Sequence, residues 1–438
     1  MSTEITHAIA RDILDSRGTP TVDVAILLAG GRRARATVPS GASTGSQEAV
    51  ALRDGDPGHF GGTGVLRAIR NITDILGPNL QDPDARNRKA IDDAVIRTDG
   101  TDNKSRLGAN AILGVSMACA KAAADASNLP VYAYRGGPGP TRLPIPCFNV
   151  LNGGVHAHRQ GADFQECRQV PYGAGGFREA LNWGTEVSHA LRAEPLARHL
   201  SVGVGDEGGF APAVGSNQQS YDLPAAALSR AGLTPGKGCG IAIDAASSGC
   251  FKGGACRLRT EGRALTNADM VTDYEEMVRN GPAVLREDGL SEDDRNGWRH
   301  LNAALGASIE LAGGDSFCTH PRIMARGIRD NIANAVLITR NQIGTVSETL
   351  AAARLTQCHH GASASRAALE RRQTTSSPIS PWPWIVAPSR PAPRPGGGRV
   401  AKYNPLLRIE EQLGTAAGCA GRPACVRPVR TPLGGHSS

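Results

Sequence analysis

The sequence has few aromatic residues, no long apolar run and no paired-cysteine motif, and each of these absences excludes a class of protein. Aromatic side chains make up only 4% of the 438 residues, so the cores must be packed mainly from small aliphatic side chains. No apolar stretch approaches the roughly 18 residues that a membrane-spanning helix needs. The ten cysteines are scattered without a C-x-x-C pair, which excludes the common zinc and dithiol motifs and predicts reduced thiols.

The amino terminus lacks the basic and apolar blocks of a secretory signal, so we expect a cytoplasmic protein with no membrane partner. The formal net charge is +7. The excess of positively charged residues lies in the C-terminal quarter of the chain. Residues 340–438 contain thirteen Lys and Arg against four Asp and Glu. Such a basic segment is compatible with a nucleic-acid surface. Its aberrant composition, described below, explains the charge more simply, so a nucleic-acid partner is not expected.

The first 135 residues predict a small α+β domain. Residues 22–28 form a predicted strand, residues 29–31 a turn, and residues 32–38 a returning strand. An Ala-rich stretch within residues 102–126 has apolar side chains at helical spacing. The Gly- and Pro-rich segment 136–140 indicates a domain boundary. We therefore predict one domain over 1–135, a second over 140–415 and a tail over 416–438.

Beyond this boundary, short apolar strands alternate with stretches long enough for helices, which is typical of an α/β barrel. The predicted strands are residues 202–205, 240–243, 282–285, 308–311 and 335–338. Three consecutive strands lead into carboxylates, at Asp244, Glu287 and Asp315. Two interpretations stay open from these residues alone. Strands must end in something polar, but carboxylates converging on a barrel mouth would also hold Mg²⁺ and, through it, a phosphorylated substrate.

Nine motifs spread over the chain are more specific. They are DSRG (15–18), VPSGASTG (38–45), LRDGD (52–56), NKS (103–105), LGANAIL (107–113), NVLNGG (149–154), VGDEGG (204–209), NQIG (341–344) and RVAKYN (399–404). Together they resemble the enolase family over nearly the whole length. The resemblance implies an α+β lid domain followed by an α/β barrel, and a homodimer. It also implies the Mg²⁺-dependent dehydration of 2-phosphoglycerate to phosphoenolpyruvate, a lyase reaction of glycolysis.

The resemblance further implies roles for individual residues. The expected metal ligands are Asp244, Glu287 and Asp315, with Ser43 of the lid loop on a second Mg²⁺. The expected catalytic acids are Glu207, which would assist departure of the hydroxide, and Glu166 beside it. The expected substrate-binding residues are His156 and Gln165.

The chain departs from the family at the position of the catalytic base. The family has a Lys at the end of the strand before the NQIG motif, and this sequence has Thr339 there. Arg340 is no substitute, because a guanidinium stays protonated and its side chain should face the other side of the strand. The remaining departures are Gly249 in place of a Glu, Arg286 at an apolar strand position, and the run Cys167-Arg168-Gln169 after Glu166.

The largest departure is the segment 359–398, where the family's phosphate- and carboxylate-binding motifs should lie. It contains seven prolines between Pro378 and Pro395, one acidic residue and no lysine. Codons can be chosen for three stretches of this segment so that the same shift of the reading frame turns each of them into a sequence motif of the enolase family. A compensated frameshift therefore explains the segment better than an evolved Pro-rich linker. We expect the segment to pack poorly, because prolines do not fit barrel strands or helix interiors.

These departures predict an enolase-like enzyme with impaired turnover. Two alternatives stay open. One is a barrel relative that acts on a different carboxylic acid. The other is a catalytically inactive homologue that acts as a surface or nucleic-acid binding protein, since a cell-surface or secreted fraction occurs in the family.

Overall fold

The computed structural model describes residues 2–15, 17–41, 45–136, 142–359, 362–366, 384–387 and 403–419. Its N-terminal part is a three-stranded antiparallel sheet, in the order β1-β2-β3, covered by helices. The strands are β1 (Ile5–Leu14), β2 (Pro20–Leu28) and β3 (Arg33–Val38). The helices are α1 (Leu66–Arg70), which continues into a π-helical turn (Asn71–Leu76), α2 (Arg88–Asp99), α3 (Ala109–Ala126) and α4 (Val131–Gly136).

Helix α3 lies directly on this sheet because its sequence is rich in alanine. All residues from Ala109 to Ala124 are buried. A Cβ atom at Gly114 would lie only 2.5 Å from Cγ2 of Val24, so a glycine is required where helix and strand approach. The predicted strands at 22–28 and 32–38 and the predicted helix agree with this arrangement, whereas β1 was not predicted.

The second part is a closed eight-stranded barrel, with the strand order β5-β6-β7-β11-β12-β13-β14-β15. After β4 (Arg142–Leu143), its strands are β5 (Ile145–Asn152), β6 (Glu166–Val170) and β7 (Gly240–Asp244). An excursion of three short strands follows: β8 (Phe251–Lys252), β9 (Ala255–Leu258) and β10 (Arg263–Leu265). The barrel continues with β11 (Ala283–Glu287), β12 (Glu310–Gly313), β13 (Ala335–Ile338), β14 (Ala362–Arg366) and β15 (Trp384–Ala387), and β16 (Gly418–Cys419) pairs with β4.

Helices surround the barrel and bury a large apolar layer between themselves and the strands. They are α5 (Phe177–Ala197), α6 (Asn217–Arg230), α7 (Asn267–Asn280), α8 (Arg295–Leu305), α9 (Pro321–Arg329), α10 (Arg340–Ile343), α11 (Val346–Cys358) and α12 (Asn404–Leu413). Several begin at a side-chain cap. At α7, Thr266 and Asp269 form a reciprocal capping box, which satisfies two amide groups at the start of the helix.

The direction of β6 decides which residues meet at the barrel mouth. This strand is antiparallel to both neighbours, β5 and β7, whereas the remaining neighbouring strand pairs are parallel. The first residue of β6, Glu166, is therefore in register with Asn152 and Asp244, the last residues of β5 and β7. The first residue of β6 and the last residues of β5 and β7 therefore lie on the same rim of the barrel.

The N-terminal domain docks on this rim through polar contacts. The amide of Gln342 donates to Glu48 at 2.9 Å, and the backbone N–H of Ser46 donates to Glu292 at 3.2 Å. Nearer the outer helices, the buried Lys104 ammonium donates to Glu348 at 3.0 Å. These contacts hold the loop at residues 45–49 over the barrel mouth.

Two expectations need correction. Residues 202–205 form no strand; they belong to a loop with an isolated bridge between Val204 and Phe210. Within the segment 359–398 the structure describes the two barrel strands β14 and β15, both free of proline, and the other residues from 360 onward lie outside the described residues, so the expected poor packing of the segment stays a prediction. The thiols are not all reduced, since Cys250 and Cys256 form a disulfide that links the start of the β8–β10 excursion to β9.

Two further expectations concern membranes and the tail. Within the described ranges, no helix is both long and apolar enough to cross a membrane. Most of the predicted tail at 416–438 lies outside the described residues.

Candidate active site

Carboxylates from three neighbouring strands meet at one rim of the barrel. Asp244 and Glu287 are the last residues of β7 and β11, and they are register partners across these parallel strands. Glu166 pairs with Asp244 from the other side, through the antiparallel β6. All three side chains are almost fully buried. Strand direction and register alone therefore bring these predicted site residues together.

Asp288, which was not predicted, completes a compact acidic cluster. Asp244, Glu287 and Asp288 each present an oxygen within 4.8 Å of the others. The carboxylate of Asp288 accepts the backbone N–H groups of Gly314 at 2.9 Å and of Asp315 at 3.1 Å. Burial and then the neighbouring Glu287 raise the pKa of Asp244 well above its usual range, and burial and then Asp315 do the same for the pKa of Asp288.

Asp315 itself lies two residues beyond β12 and is half-buried. It contacts the cluster through its backbone and through its charge on Asp288. It does not belong to the group of three carboxylates within 4.8 Å, so its predicted role as a metal ligand stays a prediction. Ser43, the predicted second-metal ligand, lies outside the described residues.

A buried guanidinium occupies the centre of the acidic rim. Arg168 is two residues after Glu166 on β6 and is 0% exposed. Its Nε donates to Glu166 at 2.6 Å, its Nη2 donates to Oδ2 of Asp244 at 3.3 Å, and its Nη1 donates to Oε2 of Glu287. Burial alone would lower the pKa of Arg168, but these carboxylates raise it well above its usual value.

The predicted substrate-binding residues lie next to this rim. His156 is buried, and its Nε2 lies 3.4 Å from Oε1 of Glu166 in an orientation that makes no hydrogen bond. Neither ring nitrogen of His156 has a hydrogen-bond partner among the described residues. The amide of Gln165 lies 3.5 Å from Oδ2 of Asp244, a long contact. An imidazole with both nitrogens open in a buried polar site is suited to receive a ligand.

Glu207 lies on the glycine-rich loop between α5 and α6. Backbone contacts hold this loop against β5: the N–H of Gly209 donates to Asn152 at 2.9 Å. A Cβ atom at Gly205 would lie 2.5 Å from the backbone oxygen of His156, so this position needs glycine. Glu207 is buried, and its Oε2 has no hydrogen-bond partner in the described part of the chain. The loop thus holds a buried carboxylate oxygen that is available to accept or donate a hydrogen bond to a ligand.

Thr339 directly follows β13, at the position where the family resemblance calls for a basic side chain. Its backbone N–H donates to Oγ1 of Thr319 at 2.8 Å. Its own Oγ1 is buried and finds no hydrogen-bond partner among the residues described. The hydroxyl is therefore not activated by an adjacent base.

A cavity of about 190 Å³ opens beside Gln165, between the loop at 154–163 and the β8–β9 hairpin. Its charged lining residues are Arg159, Asp163, Lys252, Arg257 and Arg259. Gly249 also lines it. The excess of cationic side chains favours an anionic ligand at this side of the mouth.

With this geometry established, the comparisons with known proteins identify the family. The family described as "Enolase, N-terminal domain" matches residues 5–134, and "Enolase, C-terminal TIM barrel domain" matches residues 140–427. This chain belongs to the enolase family. It is 49% identical to "Enolase 2" of Pseudomonas syringae pv. syringae, over 98% of the chain and 100% of that protein. It is 48% identical to "Enolase" of Acidothermus cellulolyticus, over 95% and 96%, and 47% identical to "Enolase 2" of Methanospirillum hungatei, over 97% and 99%.

The family assignment confirms the predicted fold class, an α/β barrel preceded by a smaller α+β domain, and the lyase class of the enzyme. Enolases require Mg²⁺. The three clustered residues Asp244, Glu287 and Asp288 offer only carboxylate oxygens, which are the type of ligand that a hard cation prefers. Arg168, however, already engages one oxygen each of Asp244 and Glu287. This enolase chain therefore presents its carboxylates to a guanidinium as well as to any metal.

Sequence reasoning missed the positions of Asp288 and Arg168. Asp288 directly follows a predicted ligand, so the pair Glu287-Asp288 at a strand end was the available signal. Arg168 departs from the family pattern, but the departure alone does not assign it to the site. Its spacing of two from Glu166 on a strand puts both side chains on the same face, which was enough to predict their contact.

Proposed function

We propose that the chain carries out the enolase reaction, the Mg²⁺-dependent dehydration of 2-phosphoglycerate to phosphoenolpyruvate, at a rate well below that of an intact enolase. The observation that carries this proposal is the convergence of Glu166, Asp244 and Glu287 on one rim, with the buried Glu207 loop packed beside it. We infer the reaction from the family relationship. We infer the reduced rate from Thr339, which stands where the family has its basic residue.

Each of the reaction's requirements has a candidate in the site. A proton next to a carboxylate is weakly acidic, and bound Mg²⁺ supplies the positive charge that stabilises the dianion formed on its removal. Asp244 and Glu287 would hold the cation, with Asp288 or Asp315 as a further ligand. Glu207 would protonate the departing hydroxide, and Glu166 would assist it. His156 and Gln165 would orient the substrate.

The missing element is the base. Enolase-superfamily sites use a Lys or His to remove the proton, and the hydroxyl of Thr339 cannot do so at neutral pH because it stays protonated. The proton must then leave to water or to a poorly placed group. General-base catalysis is typically worth about 10²–10⁴-fold in rate, and we expect a loss of this order.

A substrate panel at high enzyme concentration tests the reaction assigned. We expect 2-phosphoglycerate to give phosphoenolpyruvate slowly and only with Mg²⁺, and Glu207→Gln to lower this rate further. Hydroxy acids without a phosphate should give no product. Faster dehydration of an unphosphorylated acid would overturn the proposal in favour of a different barrel enzyme. If the Mg²⁺-dependent turnover of Glu207→Gln equals that of the parent, Glu207 takes no part in the reaction.

The setting of the enzyme is also a proposal. We propose a cytoplasmic homodimer, on the strength of the family relationship. Sedimentation of the purified chain would test the oligomeric state, with a monomer at working concentration as the contradicting result.

A further inference from the structure

The side chain of Arg168 contacts three carboxylates at once. Each of its three guanidinium nitrogens donates to a different carboxylate, those of Glu166, Asp244 and Glu287. The side chain is completely inaccessible to solvent, inside the barrel. The guanidinium of Arg168 is planar, and its donors point in different directions. It therefore lies between the three carboxylates, where a metal ion would otherwise bind.

Charge balance explains why the cluster tolerates burial in this form. Three carboxylates and Asp288 beside them would repel one another strongly in a buried site without a counter-charge. Arg168 provides one positive charge that does not depend on any solute, because a guanidinium remains protonated. It does not neutralise the cluster fully, so the site keeps a net negative charge.

Arg168 and a divalent cation would compete for the same carboxylates. The oxygens that Arg168 engages, Oδ2 of Asp244 and Oε2 of Glu287, belong to two of the three carboxylates that approach within 4.8 Å of one another. Strand β6 fixes the Cα of Arg168 inside the barrel, with Ala242 of β7 as its register partner. The guanidinium thus has little room to withdraw without disturbing the barrel core.

We propose that Arg168 is a built-in counter-cation of the carboxylate cluster, which stabilises the metal-free barrel and weakens the binding of Mg²⁺. Removing its charge should convert the cluster into a tighter metal site that depends on the metal for stability. The proposal concerns cation binding only. It takes the kind of cation from the proposed function but needs no turnover, so loss of activity and failure of this proposal are distinguishable.

Metal binding to the purified full-length chain tests the proposal. Parent, Arg168→Met and Arg168→Gln proteins are titrated with Mn²⁺, with free Mn²⁺ followed by electron paramagnetic resonance. The control is Arg286→Met, since Arg286 is equally buried but contacts Phe164 and Tyr274 rather than carboxylates. We expect both Arg168 variants to bind Mn²⁺ at least about tenfold more tightly than the parent, and the control to match the parent.

Thermal unfolding gives the second readout. Without metal, the Arg168 variants should unfold at a lower temperature than the parent, and Mg²⁺ should raise their unfolding temperature more than it raises that of the parent. If neither neutral variant folds, Arg168→Lys, which keeps the charge but has fewer donors, should bind Mn²⁺ more tightly than the parent. Equal Mn²⁺ affinity in the parent and every folded Arg168 variant would overturn the proposal, as would tight binding by the parent.

Discussion

The Nη2 atom of Arg168 lies 3.3 Å from Oδ2 of Asp244, inside the C-terminal barrel of this enolase. Because β6 runs antiparallel to β7, Glu166 is in register with Asp244 and Arg168 with Ala242, and the Arg168 side chain reaches back along β6 to the Asp244 carboxylate. This relationship, together with Thr339, distinguishes the site from one built simply to hold metal and remove a proton.

The identity of the third carboxylate ligand can be tested in the Arg168→Met background, where metal binding should be strongest. Asp288 belongs to the compact cluster and Asp315 does not. We therefore expect Asp288→Asn to weaken Mn²⁺ binding by at least about tenfold and Asp315→Asn to weaken it less. Titration of both double variants measures this. The reverse order would assign the ligand to Asp315, as the sequence alone predicts.

Replacing Thr339 separates the missing base from the remaining defects. Thr339→Lys alone should restore little turnover, because the base and the substrate contacts expected from the 359–398 region act together. Thr339→Lys combined with the restored family reading frame should recover substantial activity.

The matched control at this position is Thr339→Val. It removes a buried hydroxyl that has no partner in the described structure, so it should leave turnover unchanged and alter the free energy of unfolding by no more than about 1 kcal/mol. A large loss of activity in Thr339→Val would show that the hydroxyl itself takes part in catalysis.

The second buried arginine should behave in the opposite way to Arg168. Nε and Nη1 of Arg286 are buried and have no hydrogen-bond partner among the described residues; its guanidinium lies 4.0 Å from the ring centre of Tyr274. Burying an unpaired donor costs about 1–3 kcal/mol, and two such donors together cost more than the contacts with the Tyr274 and Phe164 rings return. We expect Arg286→Met to raise the free energy of unfolding in urea by about 1 kcal/mol. A clear decrease would mean that the ring contacts dominate.

The dependence of stability on pH should report on Asp92, at the contact between α2 and α11. Burial raises the pKa of Asp92, despite the N–H of Ser347 that donates to it at 2.8 Å. The folded chain therefore binds this proton more tightly than the unfolded chain does. Its contribution to stability is fully present below the unfolded pKa and is lost as the pH rises through the folded pKa.

Asp92→Asn should accordingly flatten the fall in stability between acidic and neutral pH. Asn keeps an acceptor for the Ser347 N–H but cannot ionise. The control is Asp93→Asn on the same helix, a partly exposed residue paired with Lys89. Urea unfolding at a series of pH values measures both. An identical pH slope in the parent and Asp92→Asn would contradict the assignment.

The fold was predictable where local pattern and strand order agree. The runs predicted as strands at 240–243 and 335–338 are short and apolar with a polar residue after them, and both lie in barrel strands. The strand predicted at 202–205 was wrong, because glycines and a polar run favour a loop there and only Val204 makes a bridge. Glu207 accordingly lies on a loop and not at the end of a barrel strand.

The site was predictable only in part, since side-chain contacts across strands depend on register. Asp244 and Glu287 follow from strand ends alone. The contact of Arg168 with both requires the antiparallel direction of β6, which no local pattern near residue 166 indicates. The disulfide between Cys250 and Cys256 depends likewise on how the β8–β9 hairpin folds back, and scattered cysteines gave no sign of it.

The most direct test of the account is the Mg²⁺-dependent rate of phosphoenolpyruvate formation by the unmodified chain. It should be compared with that of the 49% identical "Enolase 2" of Pseudomonas syringae pv. syringae under the same conditions. We expect a rate at least about 10²-fold lower, because Thr339 supplies no base and Arg168 opposes the metal. A rate close to that of the relative would contradict it, and would mean that another residue removes the proton and that Arg168 does not hinder the cation.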